Sequence, residues 1–342
     1  MADHGIEYIG SFPPPFGGVT IKNTLLYKYL GRRLNISRVN SLAAKHGNLG
    51  EALRLLRAIF GRNGSAVIGM SRKWRVRVAQ AMATLNKKKA ARSIVFVMGG
   101  AKPEKVDINA FRAFRRVYVE TAGMRSEYEA AGLCNVEVYP NCRERPLIDV
   151  EPRPRSSGEH LRCVYFSLVC KEKGIGTVLS AARVLPQLEF HVYGRIDSGY
   201  EAEFRNQTVG LSNVIYHGVF DSAHDDVVTE LAGYDVHLFP TRCPSEGVPG
   251  VIIETKIAGL PTITTNVCRN GELVENGIDG FLLDGSHPED DAKSTARLLM
   301  LLDGDDALLM RMKQAALNSA DAYFIDMYID GIADVLTERN GA

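Results

Sequence analysis

Two glutamates, Glu246 and Glu254, flank the run Gly247-Val248-Pro249-Gly250, with seven residues between them. The apolar run before them, Val236–Phe239, reads as a strand. Pro249 or Gly250 then opens a helix, because proline is favoured in a first turn. Glycines in the connecting loop let a backbone approach a ligand closely. Free N–H groups at a helix start, with the helix dipole, favour an anion such as phosphate. Glu254 falls about one turn into that helix, on a side that can face a cleft. A carboxylate there accepts hydrogen bonds from two vicinal hydroxyls, as ribose offers, and Glu246 on the loop can do the same for a second polyol. The pattern predicts one carboxylate per sugar with an anion pocket between them. Spacing alone leaves a plainer reading open, in which Glu246 caps the helix and Glu254 is solvated.

The elements that position these residues alternate between strand and helix. In the first half the β-rich runs are Glu7–Gly10, Ala66–Met70, Ser93–Met98, Val117–Glu120 and Val136–Tyr139, with Leu34–Val39 a weaker candidate. In the second half they are Cys163–Leu168, Glu189–Tyr193, Val214–Tyr216, Val236–Phe239, Thr262–Thr265 and Phe281–Leu283. Helical patterns such as Ile21–Leu30, Glu51–Phe60 and Val76–Leu85 lie between them. Such alternation predicts parallel βαβ units and an α/β architecture. Ligands then sit beyond the carboxyl ends of the strands. The stretch Arg143–His160 is rich in Pro, Arg, Ser and Glu and includes the Ser156-Ser157-Gly158 turn, so it reads as an interdomain linker.

A chain of 342 residues exceeds what one core usually serves, so two domains are expected. The net charge of +1 hides an asymmetry: residues 1–150 carry 25 Lys and Arg against 11 Asp and Glu, and the remainder is correspondingly acidic. The basic stretch Arg72-Lys73-Trp74-Arg75-Val76-Arg77 and the run Lys87-Lys88-Lys89 predict an anionic membrane surface as a partner. A solvated or phosphate-lining basic face is the alternative, and no nucleic-acid motif accompanies the charge. Six scattered cysteines without a C-x-x-C pair predict reduced thiols. No apolar run is long enough to span a bilayer, and Met1–Phe16 lacks a signal-peptide layout. The histidines show no metal spacing, and Asp303-Gly304-Asp305 lies between helical segments as a solvated turn, so no metal or other cofactor is expected. A dinucleotide fingerprint beginning at Gly174-Ile175-Gly176 fails at Leu179, and Gly194-Arg195 stands where its acid should be.

The segment from Glu246 to Pro261 resembles the donor-site signature of retaining, group 1 glycosyltransferases of the GT-B fold. It has the Glu, the Gly247-Val248-Pro249 loop, the second Glu and the small-residue end Ala258-Gly259-Leu260-Pro261. The stretches Gly271–Gly277 and Asp279–Leu283 continue the likeness, which covers residues 160–300. In Phe166–Leu179, Lys173-Gly174 matches the Lys-Gly that opens a helix in the family, and Ser167 stands where the family has an arginine. In Pro13–Val19 the pair Gly17-Gly18 leads into a helix. Many relatives carry a histidine after the fourth strand. Here that strand ends at Met98-Gly99-Gly100, and no histidine lies between His46 and His160.

The resemblance implies two Rossmann-like domains with parallel sheets facing a central cleft. Their expected bounds are 1–145 for the acceptor domain and 160–315 for the nucleotide-sugar domain, with a C-terminal helix, 316–342, returning to the first. It implies a retaining, metal-independent transfer from a nucleotide-sugar donor to a saccharide or lipid-linked acceptor. A nucleotide-sugar epimerase and a donor-binding protein without activity share the fold as alternatives. Glu246 and Lys173 are the implied catalytic residues. Gly17, Gly18, Ser167, Lys173, Gly247, Val248, Pro249, Gly250 and Glu254 are the implied donor-binding ones. The expected location is the cytoplasm, peripheral on the inner face of the cell membrane.

Overall fold

Apolar runs of three to five residues form twelve strands among the described residues, each followed by a helix or a turn that carries the chain back. The computed structural model describes residues 5–14, 17–61, 64–100, 102–156, 158–221 and 226–338. Pro15 and Phe16 of the N-terminal turn, and Ser157, lie outside them. The chain divides into two units, residues 1–145 with 323–342, and residues 146–322.

In the first unit, strands β1 (Ile6–Gly10), β2 (Ile36–Asn40), β3 (Ser65–Gly69), β4 (Ile94–Val97), β5 (Arg116–Val119) and β6 (Val136–Val138) form one sheet in the order β2-β1-β3-β4-β5-β6. Every pair is parallel. The helices are α1 (Gly18–Leu30), α2 (Ser41–Lys45), α3 (Leu49–Phe60), α4 (Arg72–Leu85), α5 (Lys87–Ala90), α6 (Lys105–Phe111) and α7 (Ala122–Ala130). One core on this sheet packs Ile68, Val95 and Val117 against Met82 and Phe111. A second packs Tyr8, Phe96 and Tyr118 against Leu26 and Leu30. Both faces are thus covered, as an all-parallel sheet requires.

The second unit repeats the scheme. Strands β7 (Arg162–Phe166), β8 (Glu189–Tyr193), β9 (Val214–Gly218), β10 (Val236–Phe239), β11 (Thr262–Thr265) and β12 (Gly280–Leu283) run in the order β12-β11-β10-β7-β8-β9. Again all pairs are parallel. The helices are α8 (Ile175–Val184), α9 (Glu201–Thr208), α10 (Val227–Leu231), α11 (Gly250–Ile257), α12 (Asn270–Leu273), α13 (Pro288–Gly304) and α14 (Asp306–Ala320). The last helix, α15 (Ile329–Thr337), belongs to the first unit, where Ile329, Ile332 and Leu336 complete the core around Leu26. Arg143 N–H donates to Tyr323 O at 2.8 Å and Ile325 N–H to Arg143 O at 3.0 Å, so the returning chain is stitched to the outgoing one.

Three expectations change. The stretch after residue 145 belongs to the second unit instead of being a free linker. Arg155, with its side chain 3% exposed, is clamped between Asp303 at 2.7 Å and Asp306 at 2.6 Å. Asp303 therefore sits in an ion-pair network, where a solvated turn was expected, and it also accepts from Leu161 N–H at 3.1 Å. The boundary expected at residue 315 falls inside α14, and the second unit continues to residue 322. All six cysteines are free thiols, and no helix among the described residues is long and apolar enough to cross a membrane.

Candidate functional site

Strand order reverses between β7 and β10: the chain builds β8 and β9 outward on one side of β7, then returns to lay β10 on the other. A crevice at such a reversal, beyond the carboxyl ends of the strands, is where open α/β sheets hold ligands. Ser167 and Lys173 follow β7, and the loop from Thr241 to Pro249 follows β10. Of the predicted site residues of the second unit, the structure joins Lys173 to Glu246 and sets Ser167 in the loop after β7.

Lys173 ends a 3₁₀ turn, Lys171–Lys173, which leads through Gly174 into α8. Gly174 is left-handed, with φ +79, and a Cβ there would lie 2.0 Å from Pro240 O. Only glycine lets this turn press against the end of β10. The Lys173 ammonium pairs with the Glu246 carboxylate, the two side chains being 19% and 12% exposed. It also stands 5.6 Å from the centre of the Phe239 ring. Thr241 Oγ1 donates to Glu246 Oε2 at 3.2 Å and accepts from Cys243 N–H at 3.2 Å. Thr265 Oγ1 in turn donates to Thr241 O. Glu246 is thus held by a cation and a buried hydroxyl, where a helix cap was the alternative.

Pro249 is the N-cap of α11 and Gly250 its first residue. Val248 and Pro249 are buried, which fixes the loop, while Gly247 and Gly250 are partly exposed. The inner face of α11 is pinned by Ile252, Ile253 and Ile257 and by the buried ion pair of Lys256 with Asp279. Glu254 lies on the remaining face and is half-buried. The start of the helix is therefore held in place by its buried face.

Ser167 N–H donates to Tyr193 O at 3.1 Å. Gly194 has φ +135, and a Cβ there would lie 1.7 Å from Ser167 O. This close approach, with Val169 N–H donating to Arg195 O at 2.9 Å, sets the Arg195 backbone alongside the loop that carries Ser167. Arg195 is exposed.

In the first unit the reversal lies between β1 and β3. Buried Asn23 ties it together, donating to Ser11 O at 3.0 Å and Gly69 O at 2.6 Å and accepting from Tyr8 at 2.9 Å. Gly17 caps α1 and Gly18 begins it, and a Cβ on either would meet no atom within 4 Å. After β4, Gly99 N–H donates to Glu120 Oε2 at 2.8 Å, and Glu120 also pairs with Lys22. Sequence reasoning missed this Lys22–Glu120 pair, whose partners stand 98 residues apart. It also missed Thr241 and Arg242. Arg242 pairs with Asp291 and donates to Thr177 at 3.3 Å, bracing the loop below Glu246. The one local signal was their place directly after a strand.

The basic stretch expected to meet a membrane separates into inner and outer residues. Arg75 is buried, donating to Met70 O at 3.1 Å, and Lys89 is buried against Glu7 at 2.8 Å. Trp74 packs partly against the core, and Arg72 pairs with Glu104 and Asp107. Lys73, Arg77, Lys87 and Lys88 remain exposed.

Two six-stranded parallel sheets with helices, and the solved structures that share them, give the chain the GT-B class of α/β fold. Residues 161–300 match the family model of glycosyl transferases group 1. Among curated proteins it is similar to an amylovoran biosynthesis glycosyltransferase of Erwinia amylovora, 24% identical over 48% of this chain and 41% of that one. It is also similar to a D-inositol 3-phosphate glycosyltransferase of Paenarthrobacter aurescens, 25% identical over 67% of this chain and 60% of that one. The matches thus span less than two thirds of these relatives' lengths. Among solved structures it is similar to Anabaena HepE in complex with UDP, with a TM-score of 0.73 and 17% identity over 97% of this chain and 99% of that one. A lipopolysaccharide outer core galactosyltransferase, WaaB, has a TM-score of 0.66 at 13% identity over 97% and 99%.

Proposed function

We propose that this chain transfers a sugar from a nucleotide-sugar, of the UDP-sugar kind named for its structural neighbours, to a saccharide or lipid-linked acceptor. The observation that carries the proposal is the Lys173–Glu246 pair at the β7/β10 reversal, directly before the start of α11. The leaving diphosphate gathers negative charge as the glycosidic bond breaks, and a preorganised ammonium stabilises that charge more than the ground state. Lys173 takes this role, with Arg195 as the second cation in place of the missing arginine and the N–H groups opening α11 as further donors. Glu246 orients the donor sugar through its hydroxyls, and Glu254 holds the ribose. The acceptor hydroxyl attacks on the face the nucleotide leaves, and the departing phosphate accepts its proton, so the anomeric configuration is retained. No cluster of three metal-ligating side chains occurs among the described residues, and Lys173 and Arg195 supply the positive charge in this reading. We place the reaction at the cytoplasmic membrane surface, with the acceptor taken by the first unit.

Purified chain, a panel of UDP-sugars and saccharide or lipid-linked acceptors, followed by NMR of the products, test this reading. The expected product is a new glycoside with the donor's anomeric configuration, formed equally well in EDTA. An inverted anomer overturns retention. Loss of activity in EDTA with rescue only by manganese or magnesium overturns metal independence. Conversion of the donor alone favours an epimerase.

A further inference from the structure

The hydrophobic pattern of α3 is turned outward. Leu49, Leu53, Leu56 and Phe60 are spaced by four, three and four residues, so they share one face of the helix. All four are exposed, at 79%, 57%, 51% and 49%. Ala58 and Ile59 occupy the buried side. Eleven residue rises from Leu49 to Phe60 make this stripe roughly 16 Å long. A contiguous apolar strip of this kind on a protein surface marks an interaction site.

The stripe continues at one end into a basic turn. Asn86 Nδ2 donates to Ile59 O at 3.1 Å and Gly61 O at 2.8 Å, which fastens the α4–α5 junction to the end of α3. Exposed Leu85 and exposed Lys87 and Lys88 flank that asparagine. Arg57 lies on the exposed side of α3 itself, and Lys45 precedes it on α2. Residues 41–60 and 72–92 contain a single acid, Glu51. Its carboxylate is already engaged by Arg54 at 2.9 Å and by Asn40 N–H at 2.8 Å. Arg57, Lys87 and Lys88 have no ion-pair partner among the described residues.

We infer that α3 lies flat in an anionic lipid surface, with Leu49, Leu53, Leu56 and Phe60 in the acyl boundary and Arg57, Lys87 and Lys88 among the headgroups. An apolar stripe bordered by cations is the pattern of a helix that rests in a membrane interface. Each basic residue near an anionic leaflet adds to the attraction, which salt screens. The positive border argues against a second copy of this chain as the occupant, because like charges would face each other. The inference deepens the placement of the first unit at a membrane. It moves the anchor from Trp74, which is partly packed on the core, to the leucines of α3.

Sedimentation of the full chain with phosphatidylcholine vesicles, with and without phosphatidylglycerol, tests it. The expected result is binding to the anionic vesicles at about 0.1 M salt that is lost near 1 M. Leu53→Gln with Leu56→Gln should weaken binding about tenfold or more, and Arg57→Glu with Lys87→Glu and Lys88→Glu should do the same. These side chains are exposed, and circular dichroism with a UDP thermal shift checks that each variant is folded. The vesicle assay needs neither donor nor acceptor, so its failure and a failure of the transfer reading are separate results. Absence of binding at low salt overturns the inference, and so does equal binding to neutral vesicles. Self-association without lipid that the leucine variant abolishes assigns the stripe to a second copy and overturns it as well.

Discussion

At the scale of single residues, the account turns on which cations meet the leaving group. Lys173 is held toward Glu246 and Phe239 by a glycine turn that no other residue could make. Removing its charge should cost transition-state binding more than substrate binding. Lys173→Ala is expected to lower kcat by about a hundredfold or more, with a smaller change in donor KM. Arg195→Ala should lower kcat in the same direction if it stands in for the missing arginine. An Arg195→Ala enzyme with unaltered kcat and KM would leave Lys173 as the second unit's working cation and remove Arg195 from the site. The sequence singles out Lys173 and Glu246 through a resemblance to a family signature, and the fold pairs them. Arg242 and Glu120 were not, because a charged residue's role depends on a partner. Asp291 lies 49 residues from Arg242. For the same reason Lys87, Lys88 and Lys89 looked alike, and only the fold sends Lys89 inward to Glu7.

At the scale of elements, the strands were legible because they are short apolar runs with turns between them, and every run read as a strand lies in one of the two sheets. The segment around Arg155 was misjudged because its proline-rich composition hides the ion pairs that fasten it to Asp303 and Asp306. Strand β10, which carries the site loop, also contains a fully buried histidine. Burial pushes His237 down to about 3. Its Nδ1 meets Thr262 Oγ1 at 3.2 Å, and its buried Nε2 has no hydrogen-bond partner among the described residues. The unfolded chain takes up a proton near pH 6.5, whereas the folded one does not until near pH 3. Stability is therefore full above about pH 6.5 and falls as the pH drops toward 3, by about 1.4 kcal/mol per pH unit from this residue. Burial also lowers His191, which adds to the trend. Urea unfolding at pH 5 and pH 7 should show the loss, and His237→Leu should reduce the slope by about one proton. An unchanged slope in that variant would place the acid sensitivity elsewhere.

At the scale of the whole molecule, two units of one design divide the work by charge. The first carries the basic excess and the outward apolar stripe of α3, and the second carries the acidic balance and the two glutamates that the proposed reading assigns to sugar hydroxyls. The likeness to group 1 glycosyl transferases rests on the second unit, residues 161–300. The central claim is accordingly that this unit holds the donor through Lys173, Glu246, the start of α11 and Glu254. Calorimetric titration with UDP tests it most directly, comparing the native chain with Glu254→Ala. A charge-assisted hydrogen bond contributes about 1.5–3 kcal/mol, so the variant should bind UDP roughly ten- to a hundredfold more weakly while unfolding at the same temperature. Equal UDP affinity in the two proteins, or no binding of UDP by the native chain, would contradict the account.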